Sequence, residues 1–267
     1  MVGLRFWQAL IILQSIGLMA QILIHSSPVS KHLYFATNLP ETTILIADVG
    51  LVLILGACCV LARFARLRHS LLLLLAVAWS DTLFRFIRGG SFGSDWVFFS
   101  SILRYAWPLA LIFLVSKKPS TDGVFLDVYA KRILAALVAL TFISHGIKAI
   151  ALAPNFKDLI FATALYIPQI QVTESMVNLM LILIGTMDLV VGSLILLRPS
   201  RGLLAWMGFW GLLTACSRFS MYGFNGIADV LIRSPHWMIP FALLLAKPKP
   251  RDATFAFVIG LFRSRKV

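Results

Sequence analysis

The sequence predicts an all-α, polytopic membrane protein of about eight transmembrane helices, built as two parallel four-helix repeats. Three observations carry this reading. The 267-residue chain is 60% hydrophobic and only 13% charged, with mean hydropathy +0.90, too little polar surface for a water-soluble domain of this size. Its cations fall in short clusters between apolar runs, as in proteins oriented by the charge of their loops. Glycine, proline and arginine landmarks recur in the same order in the two halves.

The apolar runs place spans at 7–25, 42–62, 69–88, 96–115, 131–153, 175–197, 202–222 and 235–246. The first follows a single cation and lacks a small-residue cleavage site, so it reads as a retained helix. Arg5, Arg63, Arg66, Arg68, Lys117, Lys118, Lys131, Arg132, Arg198, Arg201 and the tail cations fall on one side. Lys31, Lys157, Arg233 and Arg88 fall on the other. The basic side is cytoplasmic, which puts both termini in the cytoplasm of an inner membrane. This distribution also explains the excess of 24 Lys and Arg over 11 Asp and Glu without invoking nucleic acid; membrane lipid is the expected partner. Cys58, Cys59 and Cys216 form no CxxC pair, so neither a structural disulfide nor a thioredoxin-like centre is expected.

The repeat reads as 1–116 and 131–250, joined by a polar cytoplasmic linker at 117–130 and followed by a basic tail at 251–267. SIGLMAQIL (15–23) aligns with SHGIKAIAL (144–152), and YFAT (34–37) with IFAT (160–163). FRF (84–86) aligns with SRF (217–219), and Pro108 with Pro240. Four helices per unit give both units the same orientation, hence an axis along the membrane normal. The alternative is chance similarity between apolar helices. Within the tail, 254–262 is apolar but too short to span; an interfacial segment and a disordered end are both open.

The organising stretch is 131–153, a run long enough to span, where His145 and Lys148 stand one turn apart on one face. Ionisable groups at membrane depth are costly unless they face protein, water or a ligand. Around them the topology gathers Asp81, Arg85 and Arg88 on one face of the third span, with Arg104, Arg218 and Asp48 toward the same outer side. Cations exceed carboxylates in this group, which points to an outward-facing cavity for an anion or a polar head group; internal salt bridging is the alternative. Asp48, Asp81, Glu174 or a ligand is expected opposite Lys148. A neutral His145 would bond a quinone carbonyl, pass a proton or simply link helices. Asp188, mid-helix, reads as a proton-relay carboxylate or a neutral hydrogen-bonded acid, and Asn178 as a weaker polar spot. The GGSFGS loop (89–94) beside Arg88 reads as an anion-binding nest or a plain turn. There is no H-E-x-x-H, G-x-S-x-G or P-loop, no metal ligand set is assigned, and one haem between His145 and His236 is the remaining haem geometry.

In Arg132, Gly146-x-Lys148, Glu174, Gly192 and Arg198 the second unit resembles the DoxX-like superfamily of four-helix membrane proteins. The first unit resembles it in Arg5, Gly17, Glu41, Gly56 and Arg63, but Met19 stands where the lysine is expected. The resemblance implies a helical bundle associated with redox systems, with a quinone as cofactor or ligand and a soluble or membrane redox partner. Chemistry tied to the lysine would survive only in the second unit. Two other functions stay open: a carrier of lipids or small molecules, and a structural subunit of a membrane complex. The topology is testable directly. Reporter fusions at Ser120 and Ser200 should read cytoplasmic and fusions at Gly93 and Asn155 periplasmic; an inverted pattern at either pair overturns the orientation.

Overall fold

The computed structural model describes residues 2–37, 39–64, 66–88, 96–115, 126, 128–166 and 171–246. Every element named here is helical. The first half contains α1 (Leu4–His25), α2 (Pro28–Thr37), α3 (Glu41–Arg63), α4 (Leu67–Arg88) and α5 (Val97–Val115). The second contains α6 (Val128–Ile150), α7 (Pro154–Ala164), α8 (Glu174–Leu197), α9 (Arg201–Cys216), α10 (Arg218–Tyr222), α11 (Ile227–Ile232) and α12 (Ser234–Leu245), with a 3-10 turn at Gly223–Gly226. The 89–94 loop, most of the linker and the tail lie outside the described residues.

By length and composition, five stretches can cross a membrane: α1 continued by α2, then α3, α4, α6 and α8. The observed helices follow the expected spans closely in the first half, and α6 begins three residues before Lys131. The last two expected spans are where sequence and structure part. The run at 202–222 is broken, with α9 ending at Cys216, and α12 has 12 residues. The cause is local: Ser217 interrupts the first helix, Gly223 takes φ 56°, and Ser234–Pro235 restarts the chain after Arg233.

Why the helices pack as they do follows from their small residues. α6 lies closely along α8, and a Cβ on Gly185 would stand 2.6 Å from the Gly146 carbonyl oxygen; one on Gly146 would stand 2.7 Å from that of Gly185. Without side chains at this crossing the two backbones meet directly. Gly17, expected as the counterpart of Gly146, is also at a tight crossing, but against α11, whose Ile232 nitrogen would lie 2.5 Å from its Cβ. Hence α11 of the second half leans on α1 of the first. α5 against α6 forms the other seam between the halves.

Two prolines sharpen the core. Pro108 lacks the N–H that would bond the Arg104 carbonyl, and Gln14 Nε2 of α1 fills the vacancy at 2.8 Å. Gln14 Oε1 in turn accepts from Trp107 Nε1 at 2.7 Å, so a fully buried amide is satisfied at both ends. Pro240 likewise frees the His236 carbonyl, and the bare Gly211 backbone of α9 closes on it.

Gly185→Ala should therefore lower the thermal melting point in detergent. Overpacking of this kind costs about 1–3 kcal/mol, outweighing the gain of roughly 1 kcal/mol in helix propensity. At Gly50 and Gly56 a Cβ meets nothing within 4 Å, and there the same change should be neutral or stabilising. Equal behaviour at Gly185 and Gly56 would contradict the α6–α8 crossing.

Candidate functional site

A cavity of about 670 Å³ lies in the second half between α6, α7, α8, α9, α10 and α12. Its walls are apolar: Phe142 and Ala149 from α6, Phe156, Leu159 and Ile160 from α7, Met176, Met180 and Ile184 from α8. Set into them are Thr141, His145, Asp188, Thr214, Ser217, Arg218, Arg233 and His236. A mostly apolar volume with a few convergent polar groups is the usual form of a small-molecule site.

The cationic groups arrive from helix breaks. Arg218 opens α10 just after the interruption at Ser217, and Arg233 sits at the joint between α11 and α12. Arg218 is 9% exposed, and its Nε has no hydrogen-bond partner among the described residues. Arg233 Nη1 is held by the Asp229 carboxylate one turn before it. Asp188, 6% exposed, has the Trp210 indole beside it, while its Oδ1 lacks a partner among the described residues.

The two histidines meet edge to face, ring centroids 5.9 Å apart, and His145 also stacks on Phe156 at 6.1 Å. His145 Nδ1 lies 2.8 Å from the Thr141 carbonyl and His236 Nδ1 lies 3.2 Å from that of Arg233. A carbonyl only accepts, so each Nδ1 carries the hydrogen, and in the neutral ring Nε2 is left as an acceptor. This revises the expected chemistry: a neutral His145 takes a proton donor such as a hydroxyl, and cannot donate to a quinone carbonyl.

The other expected residues divide into two groups. Arg85 holds Asp81 in a two-pronged pair, Nε to Oδ2 at 2.9 Å and Nη2 to Oδ1 at 3.1 Å. Arg104 bonds Ser101 and lies within electrostatic range of Arg233, Arg85, Asp81 and Asp229, but its buried Nε has no partner among the described residues. The Arg85 charge reaches Asp229 as well, so the first-half charges and the cavity arginines form one field across the seam. Lys148 stands behind the cavity wall, its Nζ 5.9 Å from the Phe156 ring centroid and in range of Arg104, Arg218 and Arg233.

None of the carboxylates expected opposite Lys148 is engaged with it. Asp81 is taken by Arg85 and Glu174 by Lys157 at 2.8 Å. Asp48 accepts from the Ser27 backbone N–H at 3.1 Å and the Ser30 hydroxyl at 2.6 Å, far from the cavity lining. Arg88 is exposed and lies over the Phe35 ring at 5.7 Å. The sequence reading puts Arg233 on the outer side and His236 near or beyond the outer rim, and does not single out Asp229. The signal was present in GFNGIADVLIRSPH, whose glycines and proline break a helix next to charge.

The cleft found in the first half is far smaller. It measures about 10 Å³ and is lined by Leu18, Ile22, Ser27, Pro28, Leu51, Val77 and Asp81, room for about one water. Asp48 of α3 ties down α2 by accepting from the Ser27 backbone and the Ser30 hydroxyl.

No family model matches the chain, and neither a curated protein nor a solved structure is significantly similar to it.

Proposed function

We propose that this is a membrane-embedded binding protein whose second half holds an amphiphile, its apolar body among the α7 and α8 side chains and its anionic or strongly polar head at Arg218. The observation that carries the reading is a buried arginine with no carboxylate in ion-pair contact among the described residues, lining an apolar cavity of about 670 Å³. An unpaired buried guanidinium is costly, and an anionic head group removes that cost. Asp188 and the free Nε2 atoms of His145 and His236 supply acceptors for a hydroxyl on the same ligand.

Eight crossings with both termini in the cytoplasm, and two parallel units, belong to this proposal. What supports the duplication is the parallel order of elements: a long helix, a short one opened by proline, a long helix, then further helices, two in the first half and four in the second, the last containing a proline. Each turn before the short helix also holds a non-glycine residue at positive φ, Ser26 before Pro28 and Leu152 before Pro154. In this account the first unit is the closed, supporting copy and the second the binding copy. The DoxX-like resemblance adds a quinone as one such ligand and a redox protein as partner; the quinone carbonyls would accept from Arg218 and Arg233, since both histidine N–H groups are spent on the backbone.

A second reading, a carrier, is favoured by the helix breaks at Ser217 and Arg233, because interrupted helices beside a site are common where a membrane protein alternates between states.

Arg218→Gln should fold and reach the membrane normally, while the ligand extracted from the purified protein falls roughly ten- to a hundred-fold, the worth of a charged hydrogen bond of about 1.5–3 kcal/mol. Arg85→Gln, which removes a cation already paired, should leave ligand content unchanged. Equal ligand content in Arg218→Gln and the unaltered protein, by mass spectrometry of the solvent extract, overturns the reading.

A further inference from the structure

We infer that the cavity is loaded from the bilayer through the seam between α8 and α9, by an amphiphile with one long hydrocarbon chain and an anionic head. The inference rests on the binding reading above and adds to it a route and a ligand class. Four other seams around the cavity carry a bond or a close backbone approach, the α7–α8 seam through the Lys157–Glu174 ion pair. α6 and α8 meet backbone to backbone at Gly146 and Gly185, and α9 and α12 meet at Gly211. α7 is joined to α10 by a 2.7 Å bond between the Thr163 and Ser220 hydroxyls. Between α8 and α9 there is no such closure. The helices are joined by the turn after Leu197 and pack loosely, much less closely than α3 and α4 do.

Among the apolar cavity-lining residues, three are about half exposed, and they lie on the two helices of that seam: Met176 at 46% and Met180 at 44% on α8, Leu213 at 47% on α9. The outer surface beside them is apolar, with Leu179 58%, Leu183 61% and Phe209 52% exposed on a helix pair that includes a membrane-length α8. The Lys157–Glu174 ion pair marks the polar end of α8. Met180 lies about 9 Å along the axis from Glu174, hence below that rim. The medium outside the opening is therefore lipid. Two methionines on one wall suit a passage that admits flexible chains of varied shape. The volume is within the roughly 300–1,000 Å³ of single-molecule sites, which suits one chain and a head; a second chain would stay in the bilayer. A carboxylate or a phosphate meets the same need at Arg218.

The test uses the full-length protein in phosphatidylcholine vesicles, with stearate carrying a chain-terminal diazirine and, separately, phosphatidic acid carrying the same chain. Crosslinks are mapped by mass spectrometry. Labelling of α7 and α8 by either probe supports the inference, and the stronger one names the head as carboxylate or phosphate. Met180→Trp and Leu213→Trp, from opposite sides of the seam, should each slow labelling in vesicles about ten-fold. The same variants should label like the unaltered protein when the probe is loaded in detergent before reconstitution. Unslowed labelling of both variants in vesicles overturns the lateral route, as does displacement of the probe by inorganic phosphate or acetate from the water. Labelling of the unaltered protein in detergent but not in vesicles also overturns it, because another protein surface then covers the seam. Absence of labelling even after loading in detergent is a separate result and overturns the binding reading itself.

Discussion

The arrangement depends on one constraint: a cation inside an apolar bundle needs a counter-charge, a hydrogen-bond partner or a ligand. Arg85 has Asp81 and Arg233 has Asp229. Arg104, Lys148 and Arg218 have no carboxylate among the described residues, and they share one field with the paired groups. Lys148 is eased by the Phe156 ring, and Arg104 in part by the Ser101 hydroxyl. Arg218 opens onto the cavity with an unpartnered Nε. Of these three cations Arg218 alone lines the cavity, where there is room for something to bind, and this links the packing of the bundle to its proposed use.

The two halves make the point by contrast. In the first, Asp48 is spent on tying α2 to α3, Asp81 on Arg85, and Val77 fills the space beside them. Polar groups there answer one another and the cleft is almost gone. In the second, Thr141, His145, Thr214, Arg218 and His236 line an open volume of about 670 Å³. Breaking the helices at Ser217 and Arg233 costs backbone hydrogen bonds, which are tolerated at membrane depth only where protein or a cavity takes them up. Those breaks are also what carry Arg218 and Arg233 to the cavity wall.

Much of the fold was legible because its signals are periodic and local. Long apolar runs between basic clusters mark α1, α3, α4, α6 and α8 to within a few residues. What could not be read was pairing. Asp48, Asp81 and Glu174 were all placed opposite Lys148, yet each has a nearer partner: Ser27 and Ser30, Arg85, and Lys157. Depth along a helix says nothing of azimuth, and Arg85 is found by Asp81 simply because i and i+4 share a face. The break at 217 is not legible because the apolar run at 202–222 continues through it. Arg233, in the stretch between the expected spans, falls on the outer side, and only the coordinates bring it to the cavity wall. The histidine chemistry was likewise out of reach, since only coordinates reveal that both Nδ1 atoms face backbone carbonyls.

The measurement that bears most directly on this account is an experimental density map of the protein purified from its own membrane in mild detergent, at a resolution that shows side chains. The account predicts elongated density between α7 and α8, its polar end within hydrogen-bond distance of Arg218 and its chain leading toward Met180 and Leu213. A cavity filled by protein side chains, or an Arg218 paired with a carboxylate from the segments outside the described residues, would contradict it.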